Sequence, residues 1–292
     1  MSDFPVRLRR SLLFVPGDSR RKIEKATTLP ADSVVLDLED AVAPANKPQA
    51  RALVRAALHT LDFGARERLV RVNPWSSGLL ADDVRETIAG KPDGYVIPKV
   101  RTVDELGRVC ALIEAQARAH GMDASRMALL VLIETALGVM NLPAIAAFGA
   151  PVQALIFGAD DLAAEVGMVR TPAGLEVLYP RSAVAIAAAA HGLQAIDLVF
   201  PALNDEAGLE AECRFGRQLG YSGKMVIHPN QLAVVNRAFS PSAEEIARAQ
   251  RIVQAAEAHG YGAFALDGRM VDEPIVKQAQ NVLARARAAG LI

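Results

Sequence analysis

Short apolar runs recur at regular intervals along the chain, and each is followed by a segment with the spacing of an amphipathic helix. Nearly continuous apolar runs are typical of parallel strands that helices cover from outside. Eight such pairs fit the length of a (β/α)8 barrel, so the sequence predicts an α/β fold of the TIM-barrel type. A doubly wound open sheet is the alternative, but no GxGxxG follows the first run. The runs occupy residues 11–17, 33–40, 68–73, 94–100, 127–134, 152–161, 194–200 and 223–229.

The pattern changes after Ser240. Two helical stretches, 242–259 and 273–289, flank a glycine-containing segment that has no long apolar run. Such a segment is typical of a loop, here one that lies over another part of the protein. We therefore expect a barrel domain over residues 1–239 and a C-terminal helical extension with a lid over residues 240–292.

Composition narrows the class of protein. Of 292 residues, 51% are hydrophobic and the net charge is −1, which favours a large folded core and argues against a nucleic-acid-binding or membrane-surface protein. Cys110 and Cys213 lie in helical patterns without CxxC spacing, so we interpret them as packing thiols in a reducing cytoplasm. The apolar stretch in residues 1–18 is too short for a signal peptide or a membrane span.

Charged residues stand at the ends of five apolar runs. Burying a charge is costly unless the charge is paired or binds a metal ion. The carboxyl ends of the strands form the active face of this fold, so these residues predict a polar site there. They are Asp40, Arg71, Lys99, Glu134 and Asp161.

The alternation of side chains along a strand predicts which of these charges point inward. Asp37 and Glu39 share one face of their run, opposite Leu36 and Leu38, and the apolar face should pack on the outer helices. The two acids are therefore expected to point into the barrel mouth. The same parity groups Arg71 with Asn73, Lys99 with Ile97, and Glu134 with Leu132.

The predicted mouth holds an excess of acids. Such an excess would raise carboxylate pKa values unless a cation is present. Every candidate ligand is a carboxylate and no His or Cys cluster accompanies them, which favours Mg²⁺ over Zn²⁺. The guanidinium of Arg71 is suited to bind a substrate carboxylate with two hydrogen bonds. The acids are Asp37, Glu39, Asp40, Glu134, Asp160 and Asp161, and the bases are Arg71 and Lys99.

Structural roles compete with each of these interpretations. Glu134 and Asp161 could be partners in structural ion pairs, and Arg71 could neutralise a neighbouring acid. Lys99 fits a counter-charge better than a Schiff-base nucleophile. Asp272 precedes a helical stretch, where an acid is ordinarily an N-cap. The basic residues after position 19 are ordinarily a solvated helix face.

Several segments together resemble a known family. In chain order they are LLFVPGDSRRKIEKA, LDLEDAV, RVNP, IPKV, IET, FGADDL, VIHP and GRMVDEPIVKQA. The chain resembles, from end to end, the citrate lyase β-subunit / malyl-CoA lyase family of Mg²⁺-dependent CoA-ester lyases, within the HpcH/HpaI aldolase superfamily.

The resemblance implies roles for individual residues. It makes Glu134 and Asp161 the ligands of Mg²⁺, which favours Asp161 over Asp160. It makes Arg71 the residue that binds the oxoacid carboxylate and Asp272 the acid/base on a neighbouring subunit's lid. Residues expected to support the metal from outside its ligand shell are Asp37, Glu39, Asp40 and Lys99. Residues expected to receive CoA are Arg20, Lys22, Ile227 and Pro229.

The activity implied by the resemblance is cleavage or formation of a C–C bond in a malyl-CoA or citramalyl-CoA type of thioester. The products of cleavage would be a 2-oxoacid and an acyl-CoA. The resemblance also implies a homo-oligomer, most simply a trimer. Two alternatives stay open: a thioesterase on the same substrates, and a β subunit that works only in a larger citrate lyase complex on an acyl-carrier protein.

Overall fold

A computed structural model describes residues 7–292; residues 1–6, at the start of the N-terminal stretch considered above, lie outside the described residues. Within the described chain, residues 9–236 form one compact unit, and residues 237–292 with residues 7 and 8 form the other.

The first unit contains eight parallel strands that close into a barrel in sequence order. This confirms the predicted TIM-type (β/α)8 fold. Each strand is paired with the next one along the chain, and β8 pairs with β1. The strands are β1 Ser11–Pro16, β2 Ser33–Asp37, β3 Glu67–Arg71, β4 Gly94–Ile97, β5 Ala128–Ile133, β6 Val152–Phe157, β7 Gln194–Asp197 and β8 Gly223–Val226.

The barrel interior is filled by a buried apolar cluster to which all eight strands contribute. On the longer strands the contributing residues alternate, as in Leu130 and Leu132 of β5, because successive side chains point to opposite faces. Val35 represents β2 in this cluster. By the same alternation Asp37 belongs to the inward face, at the carboxyl end of the strand.

Helices follow the strands of the barrel. In chain order they are α1 Arg20–Ala26, α2 Lys47–Thr60, α3 Leu80–Thr87, α4 Val103–Ala119, α5 Ala136–Met140, α6 Leu142–Ala146, α7 Ala159–Val166, α8 Leu178–Ala190, α9 Glu206–Leu219 and α10 Leu232–Phe239. Cys110 on α4 and Cys213 on α9 are buried free thiols.

Several strands end before the apolar runs that predicted them, and two of these differences affect the candidate site. The run over 152–161 is not one strand: β6 ends at Phe157 and α7 begins at Ala159. Asp160 and Asp161 therefore lie in the first turn of a helix. The run over 33–40 also ends early, since β2 stops at Asp37 and leaves Glu39 and Asp40 in the following turn.

The second unit is built on two helices, α11 Ala243–Ala258 and α12 Glu273–Ala288. The segment between them was predicted to be a loop, which is wrong in part, because strands β9 Phe264–Leu266 and β10 Arg269–Val271 form an antiparallel hairpin there. Phe264 and Val271 are buried in one apolar cluster with residues of both helices. Three-residue strands are too short to show a clear alternation in sequence.

No helix among residues 7–292 combines the length and apolar character needed to cross a bilayer.

Candidate active site

A buried ion pair joins the carboxyl ends of β2 and β3. Asp37 and Arg71 are register partners, each the last residue of its strand. Arg71 donates from Nε and Nη2 to the two carboxylate oxygens of Asp37, at 2.7 and 2.6 Å. Its remaining Nη1 lies 2.9 Å from Glu39 Oε2. One of the two edges of the guanidinium that can form paired hydrogen bonds is thus already occupied by Asp37.

Asp37 also organises the turn that carries Glu39. Its carboxylate accepts hydrogen bonds from the backbone amides of Glu39 and Ala41 at 2.9 and 3.2 Å. One side chain therefore fixes both the guanidinium of Arg71 and the backbone of the following acid. Asp40, in the same turn, is more than half exposed and lies 3.7 Å from both Arg71 and Lys99.

Lys99 lies at the centre of the remaining acids. Its Nζ is 2.7 Å from Glu39 Oε1 and 3.2 Å from Asp161 Oδ1. Its backbone amide donates to Glu134 Oε1 at 2.9 Å. Lys99 thus contacts acids from three connections of the barrel, those after β2, β5 and β6.

The backbone conformation of Lys99 explains why strand alternation did not predict the direction of its side chain. Lys99 has φ +53°, in the left-handed region that non-glycine residues seldom adopt, so strand alternation does not extend to it. Val96, rather than Ile97, belongs to the interior cluster. The predicted grouping of Lys99 with Ile97 is therefore wrong.

The predicted grouping of Arg71 with Asn73 is also wrong. Asn73 is buried and bonds to Asp83 and to the carbonyl of Leu38, away from the partners of Arg71. β3 ends at Arg71, so the alternation does not carry on to position 73.

Glu134 follows the last residue of β5 and is 3% exposed. Gly158, which follows β6, makes room for it. A Cβ at position 158 would lie 2.6 Å from Glu134 Oε2, which is closer than real contacts allow. The glycine before the two acids of α7 is therefore required by the position of the Glu134 carboxylate.

The structure separates the two adjacent acids of α7 by their partners. Asp160 pairs with Arg170 at 3.1 Å, within the surface segment that follows α7. Asp161 pairs with Lys99, whose backbone amide also binds Glu134. Asp161 is therefore the acid of α7 that shares a partner with Glu134. Strand alternation does not apply to either acid, because both follow Gly158 in the first turn of α7, and the helical turn gives them different partners.

The electrostatics of the cluster show uncompensated negative charge. Burial, together with repulsion from Glu39 and Asp161, raises the pKa of Glu134 well above its usual value. Burial also raises the pKa of Glu39, although Arg71 and Lys99 oppose the change. Glu39 Oε2 is buried and makes no well-aligned hydrogen bond despite its closeness to Arg71.

A hard divalent cation fits these residues. Carboxylate oxygens are the ligands that Mg²⁺ prefers, and Mg²⁺ commonly uses only one or two of them with waters and substrate oxygens. No ready-made set of three or more His, Cys, Asp or Glu ligands occurs among residues 7–292. Glu134 and Asp161 are the two carboxylates that meet at Lys99, and they would be the protein ligands of such an ion.

Lys99 is poorly suited to be a nucleophile. Burial disfavours its charge, but the hydrogen bond to Glu39 and the charges of Glu39, Glu134 and Asp161 outweigh that effect and raise its pKa. A lysine must be deprotonated to attack a carbonyl group. The structure therefore favours the counter-charge over the Schiff-base interpretation.

Lys47 is a buried residue of this region that the sequence did not reveal. Its Nζ donates to the carbonyls of Leu38 and Glu39 and to Asn73 Oδ1, at 2.6 to 3.0 Å. These hydrogen bonds fix the backbone of the turn after β2. A lysine at the start of a helix is ordinarily exposed, so no sequence signal distinguished it.

A cavity of about 480 Å³ opens beside β1, α1 and the turn after β8. Lys22, Ile227 and Pro229 line it, together with Arg21 and Lys25. The lining thus combines apolar side chains with three cationic side chains from α1. Arg20 is not among the lining residues; its Nε pairs with Glu24 at 2.7 Å.

Asp272 belongs to the second unit. It occupies the N-cap position of α12, yet its side chain makes no capping hydrogen bond. Asp272 therefore does not act as a hydrogen-bonding N-cap, which is the ordinary role of an acid at this position.

A family model described as HpcH/HpaI aldolase/citrate lyase matches residues 10–229, most of the chain and all eight barrel strands. The chain belongs to this family. The matched range includes Asp37, Arg71, Lys99, Glu134 and Asp161.

Individual relatives cover nearly the whole chain. The chain is 38% identical to the human mitochondrial citramalyl-CoA lyase over 95% of its own length and 85% of that protein. It is 39% identical to the (3S)-malyl-CoA thioesterase of Cereibacter sphaeroides over 96% and 95%. The crystal structure of CitE from Mycobacterium tuberculosis in complex with magnesium, acetoacetate and coenzyme A matches at 32% identity and TM-score 0.79, covering 96% of this chain and 98% of that one.

Proposed function

We propose that this protein is a Mg²⁺-dependent CoA-ester lyase that cleaves or forms a C–C bond in a malyl-CoA or citramalyl-CoA type of thioester. The observation that carries the proposal is the convergence of Glu134 and Asp161, from two successive connections, on Lys99 beside the Arg71–Glu39 contact. A citramalyl-CoA lyase relative and a magnesium- and CoA-bound structural relative support it.

Glu134 and Asp161 would hold the metal ion. When bound, Mg²⁺ supplies a Lewis acid for the negative charge that develops on a substrate oxygen as the C–C bond breaks. Lys99 offsets part of the repulsion among the carboxylates and fixes Glu134 through its backbone amide. Glu39, through Lys99, links this pair to Arg71.

Arg71 would orient the oxoacid part of the substrate. Because Asp37 occupies its Nε and Nη2, Arg71 would approach a substrate carboxylate through Nη1, on the side of Glu39. Asp37 acts through Arg71 and is a positioning residue. This arrangement fixes the direction of the guanidinium before substrate arrives, which reduces the entropic cost of orientation.

The cavity beside α1 would receive the CoA part. Arg21, Lys22 and Lys25 place three cations on its wall, which suits phosphate groups, while Ile227 and Pro229 supply apolar contact. We infer that Arg21 and Lys25, rather than Arg20, accompany Lys22 in this role.

We also propose that Asp272 of one subunit serves as acid/base in the site of a neighbouring subunit. Its carboxylate makes no capping hydrogen bond to the start of α12, which leaves it available to act on a substrate. It would deliver a proton to the enolate carbon of the acyl-CoA product, or remove one in the reverse direction. A homotrimer and a cytoplasmic location accompany this proposal as predictions.

Product analysis tests the reaction class. We expect the purified chain to convert malyl- or citramalyl-CoA to a 2-oxoacid and an acyl-CoA. Turnover should stop when EDTA removes the metal ion. The variant Glu134→Gln should fold, as shown by circular dichroism, yet lose Mg²⁺ binding by calorimetry and turnover by at least about 100-fold. Turnover that persists in Glu134→Gln, or in EDTA, would contradict the proposal.

The second candidate is a thioesterase, which the (3S)-malyl-CoA thioesterase relative at 39% identity favours. The same residues could direct water to the thioester carbonyl, and the product would then be the free hydroxyacid with no 2-oxoacid. Activity of the isolated chain on free CoA esters would separately exclude an obligate role in a larger complex.

A further inference from the structure

Several partners fix the backbone of the turn that carries Glu39. The amide of Leu38 donates to the carbonyl of Arg71 at 2.9 Å. The carbonyl of Leu38 accepts from Lys47 Nζ and Asn73 Nδ2, at 2.8 and 3.0 Å. The carbonyl of Glu39 also accepts from Lys47 Nζ, at 3.0 Å. The turn therefore cannot shift without leaving buried polar groups unpaired, which costs free energy.

A buried lysine is a costly support for a turn. Lys47 is 8% exposed, and the three acceptors of its ammonium group, two backbone carbonyls and Asn73 Oδ1, are neutral. Lysine is seldom buried without a charged partner, because removing its charge from water costs free energy. Local arrangements that lower stability in this way are expected at functional sites.

A second buried pair orients the Asn73 amide toward Lys47. Asp83 Oδ2 accepts from Nδ2 and from the backbone amide of Asn73, at 2.6 and 2.7 Å. Asp83 Oδ1 accepts from Arg51 Nε at 2.7 Å, and Asp83 is fully buried. Lys47 and Arg51 lie one helical turn apart on α2. We call Lys47, Arg51, Asn73 and Asp83 the turn clamp.

The residue that the turn clamp holds has an unusual relation to Arg71. Glu39 Oε2 lies 2.9 Å from Arg71 Nη1 without a well-aligned hydrogen bond, so the N–H groups of Nη1 are not directed at it. Within residues 7–292, Glu39 Oε2 is the one buried side-chain oxygen or nitrogen without a hydrogen-bond partner. A buried carboxylate so close to a donor would align with it if the turn could move, because an unmade hydrogen bond is costly there.

We propose that the turn clamp positions Glu39 so that Arg71 Nη1 stays available to a substrate carboxylate. The inference rests on the proposed function, in which Arg71 binds the oxoacid. Asp37 occupies one edge of the guanidinium, so a ligand that forms paired hydrogen bonds must use the edge that includes Nη1. If Glu39 aligned with Nη1, it would compete with the substrate carboxylate for the same N–H groups. Lys47 acts through Glu39 and is a positioning residue.

Lys47→Met tests the proposal, because it keeps an apolar stem of similar length and removes the ammonium group. The probe is pyruvate, a small 2-oxoacid, titrated by calorimetry in saturating Mg²⁺. We expect Lys47→Met to bind pyruvate at least about 10-fold more weakly than the wild type. Arg181→Met removes another buried cation, one that pairs with Asp197 outside the acid cluster, and should bind pyruvate as the wild type does. Equal affinities of Lys47→Met and Arg181→Met would overturn the proposal.

A double-mutant cycle distinguishes positioning of Glu39 from a general loss of structure. In a Glu39→Gln background, Lys47→Met should weaken pyruvate binding by less than about 3-fold, because a neutral amide competes much less for Nη1. An equal loss in both backgrounds would mean that Lys47 does not act through Glu39, and the proposal would be wrong. If circular dichroism shows that Lys47→Met does not fold, Lys47→Gln takes its place in both comparisons.

The same titrations separate this proposal from the proposed function. A wild type that binds pyruvate but cleaves no thioester would contradict the lyase function, while the pyruvate affinities of the variants would still decide the role of Lys47. A wild type that does not bind pyruvate in Mg²⁺ would overturn both.

Discussion

Two neighbouring acids on α7 have different surroundings. Asp160 takes part in a surface pair with Arg170, whereas Asp161 faces Lys99 within the acid cluster. Their chemistry and position in the chain are otherwise nearly the same. They therefore form a natural experiment in which only the environment of the carboxylate differs.

The first prediction uses this pair. Asp161→Asn should weaken Mg²⁺ binding and turnover by about 100-fold, because the amide removes one of two ligand charges. Asp160→Asn should change either quantity by less than about 3-fold, since an exposed ion pair contributes at most about 1 kcal/mol. Calorimetric titration with Mg²⁺ and a steady-state assay measure both. The reverse order of effects would assign the ligand to Asp160.

The second prediction concerns Gly158. A methyl group there would meet Glu134 Oε2 at 2.6 Å, so Gly158→Ala should displace the carboxylate and weaken Mg²⁺ binding by at least about 10-fold. Gly107→Ala is the matched control, because the nearest atom to its added Cβ is 3.9 Å away, within α4. That change should leave Mg²⁺ binding unaltered and stabilise the helix by about 1 kcal/mol. Unchanged Mg²⁺ binding in Gly158→Ala would show that the glycine has no part in the site.

At the scale of elements, the periodicity of apolar residues predicted the eight strands, because strands buried on both faces keep a continuous apolar signal. The alternation of side chains along β2 predicted the inward direction of Asp37. It failed where the backbone leaves the strand. Lys99 has a left-handed conformation and Asn73 lies beyond the end of β3. Pro98 and Pro74 indicate that the strands end there, but they do not give the direction of the side chains that follow.

The sequence also did not predict the buried polar contacts that join elements distant in the chain. Lys47 supports the turn after β2 from the first residue of α2, and Arg181 of α8 is buried against Asp197 of β7. Both look like ordinary helix-surface cations in the sequence. Their burial depends on which carbonyl or carboxylate the fold brings to them, and periodicity does not encode that.

The third prediction tests the contact between α8 and β7. Arg181→Met leaves Asp197 buried with only Lys224, at 3.3 Å, so the free energy of unfolding should fall by about 3 kcal/mol. Arg214→Met removes an exposed partner of Glu210 and is the control, with a change below about 1 kcal/mol. Urea unfolding followed by circular dichroism measures both. Equal stability of the two variants would mean that the buried pair contributes no more than a surface pair.

At the scale of the whole molecule, the two units carry different parts of the proposed chemistry. The barrel unit holds Glu134, Asp161 and Arg71, and the second unit holds Asp272. The resemblance implies that the acid/base reaches a neighbouring subunit, so a complete site would need residues from two chains. Chains with complementary defects can test that directly.

The last prediction is restoration of activity by mixing inactive chains. Glu134→Gln lacks a metal ligand and Asp272→Asn lacks the acid/base, so each homo-oligomer should be inactive. If sites are shared between chains, random reassociation of equal amounts pairs an intact barrel with an intact Asp272 in about a quarter of sites. Turnover should therefore return to about a quarter of the wild-type value after dissociation and reassembly, and not when the two variants are mixed without dissociation. Failure to recover turnover, in assemblies shown by native mass spectrometry to be mixed, would mean that Asp272 does not complete a neighbour's site.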